Sequence, residues 1–325
     1  MEFKDFTAGK DDDGRRLDRV IRIFLKDLSL GEIYKLLRKG LIKVNHKKAK
    51  PDSHVNSGDI ISIAAFLVSP QQERPQMPAG KDLKIVFENE HLLIIDKPYG
   101  RSVHGSQNER LSGLDKEVLA WYQEKESQKK DTDAEKSLSF RPGPLHRLDR
   151  NTSGLLVFSM SLEGAKYFSE SIKNHTVSKK YYGLAEGMLE KTEEWQDKLA
   201  DSDMTDDGFY TVSQNDDGKE AKTTARPLAW GKLNGKPVTL VEYAIKTGRK
   251  HQIRAQSQLH GHPLAGDKAY GGNKSPDLKR EYYLQAFSLS FPKDNPLNLP
   301  SEIKIPLSDD FQSILRSCEI ENPGL

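Results

Sequence analysis

The nine residues His146-Arg147-Leu148-Asp149-Arg150-Asn151-Thr152-Ser153-Gly154 place one carboxylate, Asp149, between two arginines and directly before a turn-forming Asn-Thr-Ser-Gly. An apolar run, Leu-Leu-Val-Phe at 155–158, follows and is typical of a buried strand that begins after a turn. A carboxylate that cations hold at the mouth of a buried strand is a candidate nucleophile. The alternative is a turn aspartate that accepts hydrogen bonds from its own backbone. These residues alone leave both interpretations open.

Three further blocks surround this stretch in a fixed order. They are LLIIDKPYG at 92–100 with VHG at 103–105, TGRKHQIR at 247–254, and GHPLAGD at 261–267. Together with the Asp149 stretch, the blocks resemble the motifs of the RluA-type pseudouridine synthases, and the resemblance covers most of the chain. Lys250 stands where many members of that family have threonine, and Gln285 where many have histidine. Neither departure touches the proposed nucleophile.

The resemblance implies both a reaction and the residues that perform it. An enzyme of this family isomerises uridine to pseudouridine in RNA, and Asp149 would attack a uridine that has been flipped out of its helix. Arg249 would be the cation that keeps this carboxylate ionised. Tyr181 would stack on the uracil and exchange a proton through its hydroxyl. Tyr182 would then have a structural role, because neighbouring strand residues point to opposite faces.

The remaining candidates are expected to bind substrate. Ile253 would pack against the base, with ordinary core packing as the equally open alternative. His146 and Arg147 would orient the RNA without taking part in the chemistry. No spacing of His, Cys, Asp or Glu resembles a metal site, and an isomerisation oxidises nothing, so we expect neither a metal nor a cofactor.

The N-terminal region has the pattern of a small basic domain. Apolar residues recur at helical spacing from Leu17 to Leu28, Ser29 and Glu32 form a capping box, and Gly40 is placed to end the second helix. Residues 15–50 carry a local charge of +9. This region resembles an S4-type RNA-binding domain, and its candidate RNA-binding residues are Arg19, Lys35, Arg38 and Lys39.

The whole pattern predicts an α+β protein with two domains. We expect an S4-type α/β domain over 15–66, a polar, proline-containing linker over 67–80, and a catalytic domain over 81–318. The resemblance implies a pseudouridine synthase fold with a mixed, largely antiparallel sheet and a central cleft. Within the catalytic domain the patterns predict helices over 162–173 and 250–260 and strands over 181–185 and 237–246.

Two stretches interrupt the catalytic pattern. Residues 123–140 are polar and aperiodic, which predicts a mobile insertion, and residues 186–220 carry a local charge of −9, which predicts a solvated insertion over about 190–220. Charged residues make up 30% of the chain and the mean hydropathy is −0.70. With one cysteine and no apolar run of membrane-spanning length, we expect a cytoplasmic protein that does not bind membranes.

Other functions stay open at this point. The chain could be a non-catalytic S4 RNA-binding or ribosome-assembly factor, although such a protein has no need of Asp149, Tyr181 and Arg249 together. A nucleobase deaminase or hydrolase would need an activated water, for which no metal ligand set is visible. The S4 domain resembles that of the RluC/RluD branch, which implies large-subunit ribosomal RNA as the substrate, with transfer RNA as the alternative. We expect the enzyme to act as a monomer.

Overall fold

The computed structural model describes residues 1–25, 28–68, 83–105, 113–128, 137–204 and 210–320. Most of the predicted linker (69–80) and the middle of the first predicted insertion (129–136) lie outside the described residues. The helices are α1 (Leu17–Phe24), α2 (Leu30–Lys39), α3 (Leu114–Gln128), α4 (Leu162–Lys173), α5 (Gln252–Leu259) and α6 (Asp309–Ser317). None of these helices is long and apolar enough to cross a membrane.

The strands fall into an N-terminal group and a larger C-terminal group. The first six are β1 (Phe3–Thr7), β2 (Arg15–Arg16), β3 (Ile42–Val44), β4 (Lys47–Lys48), β5 (His54–Val55) and β6 (Ile60–Ala64). The others are β7 (Ile85–Glu88), β8 (Leu92–Lys97), β9 (Gly143–Pro144), β10 (Ser153–Ser159), β11 (Ser178–Glu186), β12 (Glu193–Met204), β13 (Tyr210–Gln214), β14 (Lys219–Leu233), β15 (Lys236–Ile245), β16 (Leu284–Ser290) and β17 (Glu302–Lys304).

The chain divides into two compact units, and the first contains the basic N-terminal region. It comprises Met1–Asp82, Asp115–Gly143 and Ser159–Gly164, so two segments of the predicted 81–318 range belong to it. The three-part division at 15–66, 67–80 and 81–318 stays a prediction. A small sheet with the order β1-β6-β3-β4 packs against α1 and α2 through a core of Leu17, Val20, Ile21, Ile33, Leu37, Ile61 and Ile63.

Local sequence signals set the helix ends in this unit. Ser29 Oγ accepts a hydrogen bond from Glu32 N–H, and the Glu32 carboxylate accepts one from Ser29 N–H at 2.8 Å, which completes the predicted capping box. Gly40 ends α2 with a φ of 72°, a conformation that glycine adopts without strain. Both predicted signals are confirmed. The sequence did not predict strand β1, which pairs antiparallel with β6.

The predicted insertion at 123–140 needs correction. Its first residues, 123–128, continue helix α3, and its last residues are bound within the first unit. The buried Asp12 carboxylate accepts hydrogen bonds from the backbone N–H of Leu138 at 2.7 Å and of Ser139 at 2.9 Å. The segment was misread because the helix presents a weak apolar pattern and the contacts of Asp12 span more than a hundred residues.

The second unit is built on a large mixed sheet. Its strands run in the order β13-β12-β14-β15-β11-β16-β10-β8-β7, with β17 beside β16. The pairing of β10 with β16 is parallel, and the pairings of β11, β12, β14 and β15 with their neighbours are antiparallel. The predicted mixed, largely antiparallel sheet is therefore confirmed. Helix α4 has the predicted bounds, and α5, β11 and β15 lie where the sequence predicted them.

The acidic stretch at 190–220 is not a solvated insertion. Its described residues form β12, β13 and the beginning of β14, which are consecutive strands at one end of the sheet. Trp195 and Ala221 are buried, whereas Glu194 and Glu220 are exposed. Alternating burial of this kind belongs to a strand, and the excess of acidic residues on the exposed positions masked it in the sequence.

Candidate active site

The Asp149 stretch forms the turn that leads into β10. Thr152 N–H donates to the Asp149 carbonyl oxygen at 3.1 Å, so the stretch is a turn that main-chain atoms close. Gly154 has a φ of 108°, and a Cβ atom at this position would overlap the backbone of Ala286 in the parallel neighbour β16. The close approach of two strands therefore requires glycine here and fixes where the turn ends. The Asp149 side chain is 19% exposed and faces a cavity.

Arg254 lies beside this carboxylate. Its guanidinium Nη1 lies 3.9 Å from Asp149 Oδ2, while Nε and Nη2 each donate to the Asp267 carboxylate at 2.7 Å. The rings of Tyr270 and Tyr282 lie 4.8 and 4.5 Å from the guanidinium carbon. Burial is the largest influence and opposes the charge, but the hydrogen bonds to Asp267 and the attraction of nearby acidic groups, Asp149 among them, together outweigh it and raise the pKa of Arg254 above its ordinary value. Arg254 is a permanent buried cation.

The predicted pairing of Asp149 with Arg249 needs correction. Arg249 is exposed, and its Nε donates to the Glu220 carbonyl oxygen at 2.9 Å. The reason is where helix α5 begins. His251 takes a left-handed conformation with a φ of 52° and the helix follows from Gln252, so Arg249 precedes the helix while Arg254 lies on its buried face. Arg249 lines the small pocket but does not pair with Asp149, and the second arginine of the block, Arg254, lies beside the carboxylate instead.

His251 is a second basic group at the carboxylate. Its Nε2 lies 3.8 Å from Asp149 Oδ1, and its Nδ1 lies 2.9 Å from the Tyr270 hydroxyl oxygen. Burial lowers the pKa of His251 below its ordinary value, and the Asp149 carboxylate only partly opposes that shift. The imidazole is therefore largely neutral at pH 7, and Arg254 supplies the positive charge beside Asp149.

Tyr181 and Ile253 line the same small pocket as Asp149, which has a volume of about 300 Å³. The Tyr181 side chain is 6% exposed, and burial, reinforced by the Asp149 carboxylate, raises the pKa of its hydroxyl. The residue is therefore a neutral phenol. Tyr182 belongs to the hydrophobic core and stacks on Phe287 with ring centroids 3.6 Å apart, in the structural role that strand alternation assigned to it.

His146 and Arg147 differ in what they can offer to RNA. His146 Nε2 lies 3.2 Å from Val157 N and accepts its N–H, and burial lowers the pKa of the ring to about 3. As a neutral ring bound to the β10 backbone, His146 supplies no charge for a phosphate. It lines the small pocket with Asp149, and its expected role in orienting the RNA stays a prediction. Arg147 is exposed and lines the cavities on both sides of Asp149, so it has access to a polyanion.

Lys97 is a buried residue beside the Asp149 turn whose contacts the sequence did not predict. It is fully buried at the end of β8, and its ammonium donates to three carbonyl oxygens: those of Pro98 at 3.1 Å, Arg101 at 2.7 Å and Arg150 at 2.9 Å. Burial lowers its pKa to about 7. Because Arg150 follows Asp149 directly, Lys97 fixes the backbone beside the carboxylate. The available signal was its place in the DKPYG block at 96–100.

A larger cleft of about 850 Å³ adjoins the small pocket at Asp149. Its lining includes the cationic side chains Arg147, Arg150, Lys268, Lys274, Lys279 and Arg280. In the first unit, the four predicted RNA-binding residues are all exposed on α1 and α2: Arg19, Lys35, Arg38 and Lys39. Both surfaces have the composition of a phosphate-binding surface.

Two family models match this chain. The model of the RNA pseudouridylate synthases matches residues 91–259, and the S4 domain model matches residues 15–61. The chain belongs to the RNA pseudouridylate synthase family. The predicted family resemblance and the S4 domain are confirmed, and the activity is formation of pseudouridine in RNA. The first model spans the Asp149 stretch, Tyr181 and α5.

Several proteins resemble this pseudouridine synthase over most of its length. The ribosomal large subunit pseudouridine synthase C of Vibrio cholerae serotype O1 is 29% identical, over 80% of this chain and 78% of its own. The protein of that name from Haemophilus influenzae is also 29% identical, over 91% and 88%. Among solved structures, human RNA pseudouridylate synthase domain containing 1 matches with a TM-score of 0.56 and 22% identity, covering 74% of this chain and 89% of its own, which supports the fold.

Proposed function

We propose that this pseudouridine synthase modifies uridines in large-subunit ribosomal RNA, with Asp149 as its nucleophile. The observation that carries the proposal is the placement of Asp149 at a small pocket with Tyr181, beside the fixed cation Arg254. The relatives named for the large ribosomal subunit, together with an S4 domain that carries exposed cations, support the choice of RNA.

The geometry suggests one role for each side chain. A uridine flipped into the small pocket would stack on Tyr181 and present its ribose to Asp149, which attacks C1′ as the glycosidic bond breaks. Arg254 provides a positive charge beside the carboxylate, and Asp267 holds Arg254 in place through two hydrogen bonds. The uracil turns and rejoins the ribose through C5. No group is oxidised, and no atom is gained or lost.

The cationic side chains of the large cleft and of the S4 domain would hold the RNA during the isomerisation. Phosphate contacts in the cleft orient the strand around the flipped nucleotide, and the S4 residues Arg19, Lys35, Arg38 and Lys39 raise the affinity for structured RNA without reading sequence. We further propose that the enzyme is a cytoplasmic monomer that needs no metal or cofactor. Turnover is then expected to continue in excess EDTA.

The experiment is release of tritium from RNA that contains C5-labelled uridine. The wild-type protein should release it from large-subunit ribosomal RNA, and Asp149→Asn should release none while it binds that RNA as tightly, because the amide keeps the shape and loses the nucleophile. Asp294→Asn is the control, since this carboxylate is exposed and does not line the small pocket.

Each negative outcome points to a different error. Turnover by Asp149→Asn would remove Asp149 from the mechanism. Tritium release from transfer RNA and not from ribosomal RNA would replace the proposed substrate with the alternative one. Tight binding of ribosomal RNA by the wild type without any release would favour a non-catalytic ribosome-assembly factor.

A further inference from the structure

A lysine lies in the pocket of the proposed nucleophile with no established task. Lys179 is on β11, two residues before Tyr181, so both side chains point to the same face of the sheet. Both line the pocket that also contains Asp149. The Lys179 side chain is only 7% exposed, and its Nζ lies against Gly248, where an added Cβ atom would be 3.1 Å away.

The ammonium group of Lys179 lacks a protein partner. Among the residues that the structure describes, neither a carboxylate nor a carbonyl oxygen accepts a hydrogen bond from it, whereas the buried Lys97 has three acceptors. Burial lowers the pKa of Lys179 to about 8, so the group still carries its charge at pH 7. An unpaired buried cation costs stability, and an apolar side chain would avoid this cost. The presence of such a cation in this pocket therefore points to an acceptor that comes with the substrate.

The position of Lys179 favours the flipped base over an RNA phosphate as the acceptor of its hydrogen bond. Phosphates remain at the surface of RNA, and the cleft offers exposed cations for them, including Arg147 and Lys274. A flipped base, by contrast, enters the small pocket. Residues two apart on a strand are roughly 7 Å apart, so a uracil stacked on Tyr181 presents its carbonyl edge within reach of the Lys179 side chain.

The reaction places negative charge on that edge. When the N1–C1′ bond breaks, its electron pair stays with the uracil and is shared among N1, O2 and O4, while Asp149 bonds to C1′. After the base turns, C5 bonds to C1′ and the Asp149 carboxylate leaves with its electrons. C5 then loses its proton to a base and N1 gains one, so atoms and charge balance. A cation fixed at a carbonyl oxygen stabilises the detached base throughout.

We propose that Lys179 is a catalytic residue whose ammonium donates a hydrogen bond to a uracil carbonyl oxygen and stabilises the uracil anion while the base is detached. The proposal rests on the proposed function with Asp149 as nucleophile. Lys179 keeps its three protons in every step. It acts on the leaving group, whereas Arg254 acts on the nucleophile.

The first test replaces Lys179 with methionine, which keeps the length and removes the charge. Single-turnover release of tritium from ribosomal RNA should fall by roughly 10²–10³-fold, the loss seen when one fixed donor to a developing anion is removed. The affinity for RNA should stay within twofold, and the melting temperature should not fall, because an unpaired buried charge is lost. Lys180→Met is the matched control, since the neighbouring Lys180 pairs with Glu242 at 3.5 Å and lies outside the pocket lining.

The second test changes the leaving group. Fluorine at C5 withdraws electrons and makes the uracil anion more stable by itself, so it depends less on Lys179. With RNA transcribed from 5-fluorouridine triphosphate, the base can detach and rejoin through C5, but C5 then carries fluorine and has no proton to release. Consumption of 5-fluorouridine in a single turnover is therefore followed by chromatographic separation of the nucleosides after digestion, since isomerisation alone leaves the mass unchanged. The defect of Lys179→Met relative to wild type should be at least tenfold smaller on this RNA than on uridine RNA.

The outcomes separate this proposal from the proposed function. Normal turnover by Lys179→Met, with an active wild type and an inactive Asp149→Asn, overturns the role of Lys179 alone. Equal defects on both RNAs also overturn it, as does weaker RNA binding with unchanged turnover, which would identify a phosphate contact. If Lys179→Met unfolds, Lys179→Gln is measured on both RNAs and judged by the same ratio. An inactive wild type would instead reject the proposed function.

Discussion

At the scale of single residues, two different carboxylates interact with Arg254: Asp267 fixes its position, and Asp149 lies beside its charge. Asp267 occupies two nitrogens of Arg254 at 2.7 Å, and Asp149 approaches a third only to 3.9 Å. The fully buried Asp267 therefore occupies two of the three guanidinium nitrogens. The Asp149 oxygens lie near the positive charge but accept no short, bidentate pair of hydrogen bonds from it. A nucleophile placed in this way has a cation beside it and keeps its oxygens free to attack.

Replacing Arg254 should lower both stability and activity, whereas replacing Arg249, the other arginine of the TGRKHQIR block, should leave stability nearly unchanged. Arg254→Ala leaves the Asp267 carboxylate buried without its cation, and we expect a loss of roughly 3–5 kcal/mol in the free energy of unfolding together with loss of tritium release. Arg249→Ala removes an exposed side chain and should stay within 0.5 kcal/mol of wild type, about the usual effect of a surface change. Urea denaturation and the tritium assay measure both. Equal effects of the two variants would contradict the pairing described above.

Lys179 should also affect how stability depends on pH. Its pKa is lowered from 10.5 to about 8 in the folded protein. Above pH 8 the folded protein releases this proton while the unfolded chain keeps it, so the unfolded state binds more protons and the free energy of unfolding rises with pH. The gain is on the order of 3 kcal/mol at most by pH 10.5. Relative to wild type, Lys179→Met should lose this rise in denaturation experiments at several pH values, and Lys180→Met should keep it.

The sequence predicted the position of a residue correctly where a motif contains that residue. It failed where the position depends on how distant parts of the chain pack together. Asp149 and Tyr181 stand in recognisable strings and do line one pocket. The choice between Arg249 and Arg254 depended on the left-handed turn at His251, which no local pattern announces. The role of Lys179 as a pocket residue depended on which face of β11 looks toward Asp149, and that follows only from the assembled sheet.

At the scale of elements, the turn before β10 is the part of the fold that positions the nucleophile. Gly154 combines a positive φ with a backbone contact to Ala286, so an alanine there meets both strain and overlap. Gly235 has a φ of +75° with open space around it, and it serves as a control for backbone strain alone. Gly235→Ala should cost about 1 kcal/mol.

Gly154→Ala should cost at least 2 kcal/mol more than Gly235→Ala, because overpacking adds to the strain. It should also lower turnover more than RNA affinity, since displacing the turn moves Asp149. Thermal melting and single-turnover assays test both statements. Equal destabilisation by the two variants would show that the overlap with the Ala286 backbone in β16 is relieved without a loss of stability.

Elements with a clear apolar period were predictable, and those with mostly polar surfaces were not. Helix α4 has the predicted bounds because its apolar residues recur every three to four positions. Strands β12 and β13 lie at one end of the sheet and carry many acidic side chains on exposed positions. The acidic composition therefore predicted a solvated insertion, although buried and exposed residues alternate along these strands. Helix α3 was hidden for the same reason within a polar stretch.

At the scale of the whole molecule, the basic residues of the S4 domain can be tested without dividing the chain. Deletion of the N-terminal region is a poor test, because Asp12 binds Leu138 and Ser139 within the same compact unit and the deletion would remove those bonds. Substitution of exposed side chains avoids this problem. The fourfold variant changes Arg19, Lys35, Arg38 and Lys39 to glutamine.

This fourfold variant should fold normally and bind ribosomal RNA less tightly, with a weaker dependence on salt. Each phosphate contact contributes about 0.7–0.9 to the slope of log affinity against log salt concentration, so loss of four contacts should flatten the slope by about 3. The control carries the same change of charge at exposed lysines elsewhere: Lys191, Lys232, Lys236 and Lys293. If both variants flatten the slope equally, net charge alone explains the binding. Both variants lose the same number of positive charges and differ only in where these charges were. If only the S4 variant flattens the slope, the exposed faces of α1 and α2 therefore contact the phosphates.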